Sequence, residues 1–327
     1  MATSKLVVCY SLGTGAGIDL QLASMSRQIS EDLAEILALN DDFVTLPQTI
    51  VVREAEAIEY DAAKNACAFA VFYSLPETKW ILSTTRAIGG DIALTGRIVD
   101  DESGILLSVN LIDIQKNLLL FCGVETAPRE GLLNAITQIA AKILAHFTDA
   151  PATTWIPQVR DILGTESFPA YVNWMAVREA ERRAQREGLP IPAPRIAENL
   201  IHALAADPAY TRAGLRLCEL LSSQLPKSTY ELILRYLKRS ALENEALALI
   251  VTQALARLGS RLDAESTLTK ILDKFPQNGL FWLMRGCLRS DNRLASKDLD
   301  EARRILGNDF NGCRAAVDNA LLNVTGI

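Results

Sequence analysis

Histidine is nearly missing from this sequence: His146 and His202 are its only two, and they are far apart. A zinc site or a His-centred acid–base pair draws on clustered ligands, so neither is expected. The six cysteines (Cys9, Cys67, Cys122, Cys218, Cys287 and Cys313) include no CxxC pair, and several sit inside apolar patterns. They read as small buried hydrophobes in a reducing compartment rather than as a disulfide framework or metal ligands. No apolar run reaches the length of a membrane span. Lys5 precedes only the short run Leu6–Tyr10 before a glycine-rich loop, which predicts no leader and a cytoplasmic protein without membrane insertion. No Ser/His/Asp or Cys/His set, paired-carboxylate motif or P-loop stands out, and the expectation is a non-enzymatic protein with no cofactor and no metal.

What the chain does have is apolar content, 49%, against 22% charged residues in 327 positions, the profile of a folded protein with room for two domains. The net charge of −6 is unevenly spread: residues 1–150 hold 10 Lys/Arg and 19 Asp/Glu, a balance of −9, and the remainder holds 23 and 20, a balance of +3. That asymmetry predicts a domain boundary near 150 and argues against nucleic-acid binding by the first half.

The stretch Asp91–Glu125 predicts three strands, Ile92–Val99, Ile105–Asp113 and Leu118–Thr126, separated by the turn sequences DDESG and QKN. Leu107, Val109 and Leu111 alternate with Ser108 and Asn110, the period of a half-buried antiparallel strand. An amphipathic helix follows, with Leu132, Leu133, Ile136, Ile139, Ala140, Ile143 and Leu144 on one stripe. Upstream, Leu6–Tyr10 and Phe43–Leu46 read as buried strands flanking a helix over Ile18–Leu39. Ile58, Ala62, Ala66, Phe69 and Tyr73 recur at helical spacing, although residues 66–73 also suit a strand. A further helix is expected to bury Trp80, Ile81, Thr84 and Ile88 and to stop at Gly89-Gly90.

Pro151, Pro157 and Gly164 predict a linker over 151–164. Beyond it the sequence is helical throughout and repeats every 34 residues: Leu200, Leu234 and Leu268 align, as do Ala203, Leu237, Ile271 and Ile305. Trp282, Gly286 and Ala264 occupy the fourth, eighth and twentieth places of such a unit, the tetratricopeptide pattern of paired helices with small residues at close crossings. Cys218 and Thr252 stand at the eighth place in the other units, and Tyr230 and Asp298 at the twentieth. The last helix, over Asn311–Val324, is expected to cap the pair before it through a stripe that includes Cys313, Ala316 and Val317.

The opening strand LVVCY, the helix with SEDLAEILAL, the strand FVTLP, the run GGDIALTGRI…SVNLIDIQKNLLLFCGVET and the closing helix AITQIAAKILAHF together resemble the TolB amino-terminal-like domain of bacterial signalling proteins. In that family the domain is often followed by a segment like Phe168-Pro169-Ala170-Tyr171 and then by tetratricopeptide repeats, the order found here. The first strand lacks the family's proline-phenylalanine ending, and residues 65–82 look like an insertion.

The fold expectation is thus an α+β amino-terminal domain, a mixed sheet with an antiparallel meander covered by helices, over 1–150, and an all-α tetratricopeptide-like solenoid over 165–327. The functional expectation is a protein-interaction scaffold or adaptor, in signalling or in assembly of a complex, that holds a protein or peptide partner in a groove lined by Arg212, Glu219, Gln253 and Arg257. The rival is a sensory module that binds a small molecule or nucleotide at the Gly13–Gly17 loop, where backbone amides could hold phosphate. Its spacing, GxGxG, differs from the dinucleotide fingerprint, and no Lys-Ser/Thr follows. The basic run Arg178, Arg182, Arg183 and Arg186 offers an anionic-partner site or, more simply, a solvated helix face. The acidic groups Asp41-Asp42 and Asp100–Glu102 read as turns.

Overall fold

A computed structural model describes residues 4–14, 20–47, 78–101, 104–221, 227–257 and 260–322. The expected helix around Ile58–Tyr73, with its strand alternative, lies outside them. The chain divides into two compact units, Met1–Glu179 and Ala180–Ile327.

The first unit is α+β. Its sheet runs β3 (Phe43–Pro47), β1 (Lys5–Cys9), β4 (Ile92–Asp101), β5 (Gly104–Asp113), β6 (Leu118–Ala127), and the two-residue β2 (Gly13–Thr14) also pairs with β4. β1 is parallel to β3 and β4, whereas β4, β5 and β6 form the antiparallel meander that the alternation predicts. Glycine is required at the first hairpin: Gly104 has φ +127°, and a Cβ there would meet the Ala127 carbonyl oxygen at 2.5 Å. Asn117 takes φ 52° at the second.

One face of the sheet buries Ile105, Leu107, Val109 and Leu111 against α1 (Leu20–Leu37) and α3 (Leu132–Phe147). The facing stripes are Met25, Ile29, Leu33 and Ile36 on α1 and Leu133, Ile136, Ile139 and Ile143 on α3. Each fully buried leucine or isoleucine contributes about 1.5–3 kcal/mol. On the opposite face α2 (Thr78–Ala87) packs over Val8, Tyr10 and Ala93. Ile81 is buried there as expected, but Thr85 rather than Thr84 points inward, because its hydroxyl sits 2.8 Å from the Tyr10 hydroxyl.

The expected linker is a helix. α4 spans Ala152–Leu163, and its Val159 and Leu163 join the core beneath α1 and α3. Pro151 is its N-cap, and Gly164, at φ 72°, ends it by donating its N–H to the Arg160 carbonyl. Of the residues that read as linker punctuation, Pro151 and Gly164 are the helix's start and stop, and Pro157 lies inside it. α5 (Phe168–Glu187) follows, with Tyr171 and Met175 in the same core, and the boundary between the units falls inside it, between Glu179 and Ala180.

The second unit is helical: α6 (Ala193–Ala206), α7 (Thr211–Leu220), α8 (Lys227–Ser240), α9 (Glu245–Arg257), α10 (Arg261–Lys274), α11 (Gly279–Leu288), α12 (Asn292–Leu306) and α13 (Phe310–Leu322). Each helix from α6 to α12 packs on its successor, except that α7 and α9 also meet directly, as do α6 and α8. Ala203, Leu237 and Ile271 are fully buried at the aligned positions, and Ile305 is half-buried. Leu200 and Leu268 are buried too, while Leu234 is only half so. The helix starts Ala193, Lys227 and Arg261 are each 34 residues apart, as are Thr211, Glu245 and Gly279.

Candidate functional site

The four expected groove residues fall on two neighbouring helices, Arg212 and Glu219 on α7 and Gln253 and Arg257 on α9. A seven-residue step aligns the first two, and a four-residue step the second two. The helices approach closely because α7 carries Gly214 at the crossing, where a Cβ would lie 2.5 Å from Leu247 of α9. Asn244 adds a polar clasp. Its amide donates to the Thr211 hydroxyl at 2.7 Å and to the Ala209 carbonyl at 3.1 Å, while its carbonyl caps α9 by accepting from the Leu247 N–H. Asn278 repeats the arrangement one unit later, capping α11 at the Leu280 N–H and donating to Glu245 at 2.7 Å.

Arg212 and Gln253 are half-buried and Glu219 is exposed. Nothing is described of the Arg257 side chain. Glu219 does not stand alone: Arg216 binds it at 2.5 Å and Glu181 of α5 at 2.7 Å. Spacing does not single out Arg216, yet its guanidinium binds two carboxylates. Partial burial of Arg216 works to lower its pKa, but the hydrogen bond it donates to Glu219 and the charge of Glu181 raise it on balance, so it stays cationic.

The last helix contacts more than the pair before it. α13 packs on α12 and α11 and reaches back to α9. Among its described side chains Phe310 and Val317 are buried, whereas Ala316 of the expected stripe faces solvent. Arg303 of α12 lies over the Phe310 ring at 4.8 Å, and Asp318 accepts from Arg314 at 2.8 Å and approaches the Cys287 sulfur at 3.8 Å.

The other candidates resolve into structure. Gly13 and Thr14 are β2, paired with Arg97 and Ile98, and Gly15–Gly17 lie outside the described residues. Backbone carbonyls beside that loop are occupied by hydroxyls of α1, Ser26 donating to Leu12 and Ser30 to Tyr10. His146, exposed, contacts the rings of Phe121 and Phe147, and His202 is exposed too. Along α5, Arg178 approaches Glu31 at 3.9 Å and Arg183 binds Glu187 at 3.0 Å, the pairing of a solvated face. Asp100 pairs with Arg129. Among the described residues no group of His, Cys, Asp and Glu could hold a metal ion, and no helix is long and apolar enough to cross a membrane.

No family model matches the sequence, and none of the curated proteins is similar to it. Among solved structures the chain is similar to TolB from Acinetobacter baumannii, at a TM-score of 0.29 and 15% identity over 46% of this chain and 29% of that one. It is also similar to the carboxy-terminal domain of LpoB from Salmonella enterica, at a TM-score of 0.28 and 17% identity over 39% of this chain and 84% of that one. The chain thus spans 29% of the TolB structure's length. Function is read from the chain's own geometry.

Proposed function

We propose that the protein is a non-enzymatic interaction scaffold or adaptor of bacterial signalling or complex assembly, working in the cytoplasm. Its second unit is a tetratricopeptide-like solenoid whose groove, floored by α7 and α9, takes a protein or peptide partner. The observation that carries this reading is the 34-residue recurrence of helix starts on both members of each pair, Ala193/Lys227/Arg261 and Thr211/Glu245/Gly279. Asn244 and Asn278, also 34 apart, each cap one helix and reach the preceding unit, so the recurrence extends to hydrogen bonds. Stacked repeats of this kind present an extended surface to which side chains on one helix layer contribute. Arg212, Glu219, Gln253 and Arg257 lie on that layer, with Arg216 added by its charge pairing.

The test is affinity capture of the full-length chain from its native host, compared with Arg212→Glu and Gln253→Ala variants of matched stability. A defined set of proteins recovered with the wild type and lost with both variants is expected. Identical recovery from all three would remove the groove as the binding surface.

A further inference from the structure

The two edges of the sheet are built differently. β3, at one edge, has five residues, ends in Pro47 and follows Asp41 and Asp42, features that discourage another strand from pairing there. β6, at the other edge, has ten residues and no proline or lysine, and among the described residues it pairs only with β5. Its single charged side chain, Glu125, is already bound by Lys142 of α3. Along the face away from α1 and α3, Val124 and Leu119 are 55% and 53% exposed, and Leu106 of β5, diagonal to Val124, is 37% exposed. A long, largely apolar edge is a template for strand addition.

We propose that β6 pairs antiparallel with β6 of a second copy of the chain, joining the two sheets across a two-fold axis near the middle of the strand. Three features favour a copy over an unrelated peptide. Pairing a strand with itself sets identical rows of outward N–H and C=O groups against each other, which an antiparallel dyad satisfies on both sides. Glu125, paired with Lys142 and away from the middle of the strand, is not set against its own copy by the dyad. The ends of the strand are also complementary in charge. Lys116, with 75% of its side chain exposed and Asp113 at 3.9 Å, lies two residues before β6, and Glu130, exposed beside the Arg129 that pairs with Asp100, lies three residues after it. Antiparallel pairing lays the first end of one strand beside the last end of the other, so Lys116 of each copy comes beside Glu130 of its mate, twice by symmetry. The Leu106, Leu119 and Val124 patch then continues from one copy into the next. This inference uses the first unit alone and does not depend on the groove.

Sedimentation velocity on the full-length chain over a concentration series tests it. The wild type is expected to show a monomer–dimer equilibrium, and hydrogen exchange at residues 118–127 to slow as dimer forms. Val124→Lys, a charge on the exposed edge, should weaken self-association at least about tenfold. Leu119→Lys serves if the first variant folds poorly. Lys116→Glu and Glu130→Lys should each weaken the dimer several-fold, and the two together should restore it. A wild type that stays monomeric throughout overturns the proposal. So does a dimer that Val124→Lys and Leu119→Lys both leave intact, or one that the charge exchange fails to rescue.

Discussion

Each unit buries an aspartate, and the two are handled differently. Asp32, on α1 of the first unit, is 1% exposed and accepts a hydrogen bond from the Tyr171 hydroxyl at 2.6 Å and another from the Gln28 amide at 3.1 Å. Asp298, on α12 of the second, is 2% exposed and held by both arms of Arg285, at 2.8 and 2.9 Å, and by Arg289 at 3.0 Å. The first contact ties α1 to a residue on α5 far along the chain. The second sits where the 34-residue pattern places the small, fully buried Ala264 one unit earlier. A carboxylate in that crowded position needs full compensation, and α11 supplies it, with Arg285 also stacked on Trp282 at 4.8 Å. The sheet unit thus uses a buried acid to join distant segments, and the helical unit uses one to close a local crossing.

Removing the acids separates these roles, and Asp298→Ala should have the larger effect. It strands a guanidinium whose side chain is 9% exposed, at a cost of about 3–5 kcal/mol. Hydrogen exchange should show residues 279–306 losing protection while 92–127 keep theirs. Replacing the pair together, Asp298→Leu with Arg285→Met, should recover much of the loss, because apolar substitutes need no partners. If the single variant proves as stable as the wild type, the pair is not holding the α11–α12 crossing.

Tyr171→Phe should act in the first unit and more gently. It removes one donor from a buried carboxylate and keeps the ring in the core, a change of about 1–3 kcal/mol. Urea unfolding followed by exchange at α1 and the start of α5 would register it. Loss of protection confined to the second unit would contradict the placement of this contact.

These two sites also mark how far the sequence could be read. Alternation in Ile105–Leu111 and the stripe on Leu132–Leu144 foretold the meander and its covering helix, because burial on one face imposes those periods directly. The 34-residue spacing emerged from Leu200, Leu268 and the buried alanines for the same reason. α4 was hidden because Pro151 and Gly164 serve equally as linker residues and as helix ends. The Asp32–Tyr171 and Asp298–Arg285 contacts were hidden because pairing across helices leaves no spacing signature. The four residues proposed for a groove could be named only as places on a repeat. Arg216, whose importance comes from Glu181 on another helix, was not.

Within the helical unit the recurrence itself can be probed at its caps. Asn278→Ala removes the acceptor at the start of α11, and Asn244→Ala removes the equivalent one at α9. Each should cost about 1 kcal/mol, the usual value of an N-cap. Asn244 also bridges Thr211 and Ala209, so its loss should loosen α7 as well as α9. Equal and strictly local effects of the two variants would mean that the caps do not link successive units.

The smallest contrast concerns thiols, and it tests the two cores against the surface. Burial pushes Cys9 on β1 from 9.0 up to about 12, and Cys218 on α7 to about 12 with some help from Glu219, whereas Cys122 on β6 is exposed. At pH 8 a small alkylating reagent should therefore modify Cys122 while Cys9 and Cys218 remain intact, since the thiolate is the reactive form. The same shift carries a stability consequence whose sign follows from proton counting. Below about pH 9 the Cys9 thiol is protonated whether the chain is folded or unfolded, and the shift has no effect. Between about 9 and 12 the unfolded chain releases the proton and the folded chain keeps it, so stability falls as pH rises, by up to about 1.4 kcal/mol per pH unit for this group. Cys9→Ala removes the titrating group, and its stability should decline less steeply than the wild type's between pH 9 and 10.5. Parallel declines would show that Cys9 ionises as readily in the folded sheet as in the open chain, which its complete burial between β3 and β4 does not allow.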